Sequence, residues 1–415
     1  MVQQYVLLLG ANQYLRERSL SGAKQVTNLP IWTADQGVAY SLNRYFDGTI
    51  NVDPQDADTL LKSIHAHELQ GWTPKAVIPL NDWTLAAAHT VNRALGLPSM
   101  DATTILRSRN KYLMKEVFAK YGVPTAPFVL IETEADLMEA IETVGLPVVI
   151  KPYDFGGSGG VYLAKTVEEA RARLRDSMEM MDEYRQQFGI AGNKFLVEKF
   201  IASRDEVSVE VLCFDGQYQV ITVTEKYLSP EPWFAEMAHL VPSHRIHDRP
   251  LLDMAIHACK ALKLSLGMAH AEIKILDGQG WVIEVGARPG GDGIMDQIER
   301  AYDFNPYAAH VKAYLGESPF DIVRNITPQR TAAIAFLKAP PGIITDIRLP
   351  TKLHDCVRSL AIQASVGKVS EPPIAWRARE GVVEYTWPHL FTSKPDEPTR
   401  LTEALSQEIF VTKSL

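Results

Sequence analysis

Along the first hundred residues, apolar residues gather in short runs that stop at turn-forming ones. Tyr5–Gly10 (YVLLLG) reads as a buried strand ending in glycine, and Ala76–Leu80 (AVIPL) as a second. Asn81 and Asp82 follow as N-cap residues, and WTLAAAHTVNRALG then carries a helical pattern to Gly96 and Pro98. Strand, tight turn and helix form the unit of a parallel α/β sheet, so residues 1–105 are expected to build such a domain. In that architecture ligands sit beyond the carboxyl ends of the strands, which makes Asn81 and Asp82 either plain helix caps or ligand contacts. The fingerprint GxGxxG is absent, since Gly10 precedes Ala11, Asn12 and Gln13, and a nicotinamide dehydrogenase is disfavoured.

Further along, the pattern changes. Ser108–Tyr121 (SRNKYLMKEVFAKY) predicts one amphipathic helix closed by Gly122 and Pro124. Pro147–Asp154 (PVVIKPYD) predicts a strand carrying Lys151, followed by the loop GGSGG and the strand VYLAK. Thr166–Glu169 is a capping box that opens a helix toward Gly189. FLVEKFI (Phe195–Ile201) and EVSVEVLCFDG (Glu206–Gly216) read as antiparallel strands. Beyond Arg330, short β-like runs alternate with proline-bearing turns, which suggests a separate small lobe. The expectation is a multidomain α/β and α+β protein with units at 1–105, 106–195, 196–330 and 331–415.

Composition agrees with this division, because 415 residues exceed one ordinary core. Hydrophobic residues at 46%, charged residues at 22% and a mean hydropathy of −0.09 describe a soluble globular chain. The net charge is −8, and no dense cluster of lysine and arginine marks a nucleic-acid footprint. Any phosphate site must then be local, made by a few placed cations. Cys213, Cys259 and Cys356 have no metal-ligand spacing and are expected to be reduced thiols. The amino terminus lacks the pattern of a signal peptide, and no window approaches the roughly twenty apolar residues of a membrane helix. A cytoplasmic protein with no membrane partner is expected.

His270–Gly293 (HAEIKILDGQGWVIEVGARPGGDG) carries the strongest chemical pattern. HAEIKIL and WVIEVGA are strand-like around the turn sequence DGQG. Ile273, Ile275, Trp281, Ile283 and Val285 are odd-numbered and apolar, whereas Glu272 and Glu284 are even-numbered. A hairpin loop of three or five residues keeps this parity and sets both carboxylates on the face opposite the apolar stripe. Close carboxylates repel unless a cation lies between them, and magnesium takes one or two carboxylates together with nucleotide phosphates. Two unrelated glutamates on a wet face would leave the same pattern. Arg288 and the glycines that follow favour the metal reading, because a guanidinium there can grip phosphate or carboxylate oxygens.

GGSGG is not a Walker loop, because its lysine precedes the glycines on a strand instead of leading into a helix. By itself it could be a flexible hairpin tip. Beside a magnesium pair it can fold over phosphates as a lid, offering backbone N–H groups and the Ser158 hydroxyl.

These residues, in this order, resemble the ATP-grasp superfamily of carboxylate–amine ligases and, within it, the L-amino-acid ligases that make dipeptides. The resemblance runs from about Val6 to Gly316 through LNDWTLAAA, RNKYLMKEVFAKYGVPT, VVIKPYDFGGSGGV, VEKFI, AEIKI and IEVGARPGG. It implies an ATP-grasp fold: an amino-terminal parallel domain, a central lid subdomain, an antiparallel-sheet subdomain and a small β-rich lobe. It implies ATP with Mg2+ or Mn2+ as cofactors. Lys111 and Lys151 would contact phosphates beneath Gly156, Gly157, Ser158 and Gly159. Glu198 would accept from the adenine amine, Phe200 and Ile201 would line the ring, and Glu206 would bind ribose. Glu272 and Glu284 would hold the metal, and Arg288 would steady an acyl phosphate. Glycine at 286, where many relatives have asparagine, leaves a third metal side chain in doubt.

The implied reaction has two steps. A carboxylate attacks the γ-phosphate of ATP, and an amine then attacks the acyl phosphate and releases phosphate. Lys111, Lys151 and the metal offset the triphosphate charge, while the glycine loop excludes water. Glu225–His244 reads as a long substrate-facing loop, with His239 as a carboxylate contact or general base, or else a plain surface residue. Asp82, Gly291, Asp292 and Asp296 fall where the family shapes its substrate pocket, although the aspartates could equally be solvated at helix starts. Amino acids are the expected partners, and a homodimer the assembly common among relatives. The rivals are a ligase for a purine precursor, a bicarbonate-activating carboxylase, and a nucleotide-binding protein without turnover.

Overall fold

The computed structural model of the chain describes residues 2–11, 15–36, 45–188 and 193–414. Its first unit runs β1 (Gln3–Leu9), α1 (Arg18–Val26), β2 (Ile31–Asp35), β3 (Gly48–Asn51), α2 (Ala57–Glu68), β4 (Trp72–Pro79) and α3 (Asp82–Ala94). The strands pair in parallel in the order β3-β2-β1-β4. Tyr5, Leu7 and Leu9 enter one core while Val6 and Leu8 enter another, which is why this run shows no polar alternation. β1 and β4 end side by side. A Cβ on Gly10 (φ +81°) would stand 2.2 Å from Asn81 Nδ2, so glycine is what lets the two ends meet. Asn12 and Gln13, which interrupt the dinucleotide fingerprint, lie outside the described residues.

The helix expected over Ser108–Tyr121 is in fact two, α4 (Ala102–Arg109) and α5 (Lys111–Tyr121). Asn110 is extended and its side chain accepts from the N–H of Leu113, capping a new helix. This break sets Lys111 at the head of α5, where its backbone N–H donates to the carbonyl of Tyr153 at 2.8 Å. A small antiparallel sheet follows, built from β5 (Phe128–Ile131), α6 (Leu137–Val144), β6 (Val148–Pro152), β7 (Tyr162–Ala164), α7 (Val167–Phe188) and β8 (Phe195–Lys199). Its strand order is β5-β8-β6-β7. Gly189, the expected end of α7, lies outside the described residues.

The next stretch comprises β9 (Glu206–Phe214), β10 (Gln217–Leu228), β11 (Glu236–Val241), α8 (Arg249–Leu262), β12 (Leu266–Leu276) and β13 (Gln279–Gly286). Helices α9 (Ile294–Tyr302), α10 (Pro306–Tyr314) and α11 (Phe320–Val323) complete it. The last segment holds β14 (Thr331–Leu337), β15 (Gly342–Ile347), β16 (Val357–Ile362), β17 (Val369–Ser370), β18 (Gly381–Trp387), α12 (Glu397–Ile409) and β19 (Phe410–Lys413). The lobe expected at 331–415 is not separate. β14 pairs with β11, giving one eight-stranded sheet in the order β13-β12-β9-β10-β11-β14-β18-β16. An edge on β11 would leave backbone groups unpaired, and Ala332–Ala335, all fully buried, fill it. Only β17-β15-β19 form a sheet of their own.

The β12–β13 hairpin also departs from expectation. Leu276 pairs with Gln279, so the loop is only Asp277 and Gly278, both with positive φ. An even loop would put the glutamates on opposite faces, but a bulge inserts Ile283 and restores parity, so Glu272 pairs directly with Glu284. The apolar stripe shifts in consequence. Val282, not Ile283, joins Ile273 in the core.

Candidate active site

The three larger sheets surround a cavity of about 350 Å³. It is lined by Asp82, Lys111, Lys151, Gly156, Gly157, Ser158, Gly159, Glu198, Phe200, Ile201, Glu206, His239, Glu272, Glu284, Arg288, Gly291 and Asp292. Asp296 is not among them.

β6 delivers Lys151 to the cavity floor, 4% exposed, with its Nζ 2.8 Å from Glu198 Oε1 on β8. Burial acts to lower the Lys151 ammonium, but Glu198 and Glu284 outweigh it and hold it charged. Behind it, Lys115 lies 3.2 Å from Glu198 Oε2 and donates to Thr125 Oγ1 at 2.8 Å. Burial pulls Lys115 down to about 8. Glu198 is thus shared by two ammonium groups, and an adenine amine would join them instead of meeting a free acceptor. Lys111 donates to the carbonyl of Phe155 at 2.6 Å and lies 3.1 Å from Glu284 Oε2.

The glycine loop bridges both sides of the cavity. Ser158 (φ +58°) donates through its hydroxyl to the carbonyl of Phe234 at 2.9 Å. A Cβ on Gly157 would come within 2.6 Å of Trp376 Cδ1, so a side chain there would push the indole away. Sequence reasoning missed Trp376, which reaches the cavity from the carboxyl-terminal segment.

Glu272 and Glu284 face each other across β12 and β13. Glu272 Oε1 lies 2.8 Å from Lys226 Nζ and 3.2 Å from His270 Nε2. Burial would raise its carboxyl, yet Lys226 and His270 hold it well below the usual range. Lys226 also lies 3.2 Å from Glu206 and 2.9 Å from Glu236, so one buried ammonium serves three carboxylates. Glu206 lies 3.2 Å from Lys274 as well. His270 sits 2.7 Å from Glu210 and, despite burial, is pushed up to about 9 by Glu210 and Glu272. Among the described residues no group of three or more His, Cys, Asp or Glu side chains forms a ready-made metal cluster. Two facing carboxylates in one cavity are still a donor set that fits magnesium, which completes its shell with phosphate and water oxygens.

Arg288 follows β13, and its Nε donates to Asp82 Oδ2 at 2.7 Å. Arg109 lies 3.7 Å from the other Asp82 oxygen. Burial would raise Asp82, but these arginines hold it far below the usual carboxylate range, so it serves to orient Arg288. A Cβ at Gly286 would stand 3.3 Å from Arg288 Nε, so glycine at this position gives the guanidinium room.

Half of the stretch Glu225–His244, expected as one long loop, is strand. β10 continues to Leu228 and β11 begins at Glu236, leaving only residues 229–235 as the connection between two paired antiparallel strands. His239 is therefore a buried strand residue, 1% exposed, with Nε2 3.3 Å from Asp292 Oδ2. Arg379 was also missed. Its Nη2 donates to Asp292 Oδ2 and to the carbonyl of Glu236, both at 2.7 Å, and its guanidinium lies 3.6 Å over the Phe336 ring.

Asp296 points away from the cavity toward Arg18, 3.7 Å distant. Burial pushes its carboxyl up to about 7, only partly opposed by Arg18. A raised carboxyl favours the folded state while protonated, and this contribution fades as pH climbs from about 3.8 to about 7. Asp296→Asn is expected to flatten that slope and to raise stability at pH 8 by roughly 2–4 kcal/mol. Urea unfolding of both proteins between pH 4 and pH 8 checks this, and parallel pH profiles would refute it.

An ATP-grasp domain model matches residues 144–296, the span that holds the glycine loop and both facing glutamates. The chain carries an ATP-grasp domain within an ATP-grasp fold, and it resembles the carboxylate–amine ligases of that superfamily. Among solved structures, an L-amino acid ligase from Bacillus licheniformis superposes with a TM-score of 0.80 over 99% of both chains, at 19% identity. Alanine–anticapsin ligase of Bacillus amyloliquefaciens is 25% identical over 242 residues, 55% of this chain and 51% of the relative. Formate-dependent phosphoribosylglycinamide formyltransferase of Hydrogenovibrio crunogenus is 23% identical over 298 residues, 69% of this chain and 68% of the relative. The chain thus spans about half the length of the alanine–anticapsin ligases it matches. No described helix is long and apolar enough to cross a membrane.

Proposed function

We propose that the chain is an ATP-dependent ligase that activates an amino-acid carboxylate as an acyl phosphate and couples it to a second amino acid. The observation that carries this reading is one cavity where Lys111, Lys151, the facing pair Glu272 and Glu284, and Arg288 converge from separate parts of the chain. Nucleotide phosphates fit the lysine end beneath the glycine loop. Glu272 and Glu284 would hold magnesium, which when bound supplies countercharge to the phosphates. Arg288, aimed by Asp82, stabilises the oxygens that gain charge as the acyl phosphate forms and collapses. The far end, with Glu236, His239 and Asp292 and with Arg379 bonded behind them, offers both signs of charge and suits zwitterions.

Relatives named as amino-acid ligases support amino-acid substrates, and the formyltransferase relative supports the second reading, a purine-precursor ligase. A matrix of L-amino-acid pairs, assayed for phosphate release with ATP and Mg2+ and followed by mass spectrometry, separates them. A dipeptide mass is the expected result. Silence across the matrix, with turnover of a phosphoribosyl amine, would overturn the dipeptide reading.

A further inference from the structure

The buried cations at the substrate end and just behind it are nearly all matched. Arg288 is paired with Asp82 at 2.7 Å, Arg379 with Asp292 at 2.7 Å, and Lys226 with Glu236 at 2.9 Å. Arg16 is the exception. It is 7% exposed and lines the same cavity, yet its Nη1 meets only the carbonyl of Gly290 and the hydroxyl of Tyr307, each at a long 3.4 Å. Among the described residues no carboxylate forms an ion pair with it. A guanidinium keeps its charge wherever it is placed, and an uncompensated buried charge is strongly unfavourable. Gly291, which lines the same cavity, lies beside it: a Cβ there would stand 3.9 Å from Arg16 Nη2, at ordinary van der Waals contact.

We infer that Arg16 is the anchor for the carboxylate of the amine-donating amino acid. This rests on the ligase reading above. Of the two amino acids, one has its carboxylate phosphorylated beside Arg288 and then converted to the amide, while the other keeps its own through the reaction and needs a separate countercharge. Among the described residues that line the cavity, Arg16 is the buried cation with that charge to give. The residue thus determines specificity: it selects amino acids over simple amines as acceptors, and it sits on the amino-terminal unit, apart from the phosphate-binding lysines.

The test uses the full chain and the productive pair from the matrix, with the acceptor identified as the carboxyl-terminal residue of the product. The acceptor is compared with its primary amide, in wild type and in Arg16→Gln. The wild type is expected to favour the acid by about 10- to 100-fold in kcat/KM, the range of one charge-assisted bond. Arg16→Gln should bring that preference close to one through KM, without changing KM for ATP, and Arg16→Lys should restore part of it. Equal losses for acid and amide, or an unchanged preference, would overturn the inference. If the wild type turns over no pair, the ligase reading fails on its own. Arg16 is then judged by thermal shift with each standard L-amino acid and its primary amide. Stabilisation by acids alone, lost in both Arg16→Gln and Arg16→Lys or weakened in the latter, sustains the anchor; equal shifts, or none, reject it.

Discussion

Replacing Arg288 with alanine is expected to cut product formation by about 100- to 1,000-fold in kcat while leaving ATP affinity within about threefold. In the proposed function Arg288 stands between the phosphate and substrate ends, and Asp82 fixes its orientation. In the proposed reaction its charge matters most when the acyl phosphate forms, and Lys111 and Lys151, proposed to meet the nucleotide, have partners of their own. Phosphate release gives the rate, and titration with a non-hydrolysable nucleotide gives the affinity. Undiminished turnover would reject the role, and a large loss of nucleotide affinity would move Arg288 to the phosphate end. Asp82→Asn should produce a milder version of the same loss, since it keeps the shape but withdraws the charge that aims the guanidinium.

Glu284→Gln is expected to weaken magnesium-dependent nucleotide binding by at least about tenfold and to change metal-free binding little. Glu284 has two partners to account for, the facing Glu272 and the Lys111 ammonium at 3.1 Å. A loss that acted only through Lys111 would persist without metal, and Lys111→Met would reproduce it. Nucleotide titrations with and without Mg2+, for both variants, separate the two routes. Equal affinities for wild type and Glu284→Gln in the presence of magnesium would remove Glu284 from the metal site.

Much of this cavity was legible because its residues travel in short signatures. Lys151 and the glycine loop share one contiguous stretch, and Glu272, Glu284 and Arg288 share another. Within each, strand alternation decides which side chains face the same way. Residues that escaped notice have no such neighbours. Lys115 follows Lys111 by one helical turn and looks like any charged residue on an amphipathic helix. Arg379 and Asp292 are 87 positions apart, and only folding brings them to 2.7 Å. Arg16 precedes a helix in a stretch with no local pattern, and its missing counter-ion becomes visible only when its surroundings are known. The hairpin shows a different limit. Parity alone cannot tell an odd loop from an even loop with a bulge, because both return Glu272 and Glu284 to one face. For the carboxyl-terminal segment, proline-bearing turns suggested independence, whereas the alanine-rich Thr331–Leu337 run could be assigned to β11 only by knowing which edge stood open.

The seam between β11 and β14 carries a corollary for how such a protein can diversify. The tail that zips onto β11 also brings Trp376 to the glycine loop and Arg379 to Asp292. Transplanting residues 331–415 from another chain would therefore have to satisfy a backbone ladder, an indole contact and an ion pair at once. The tail and the cavity it reaches must be inherited together.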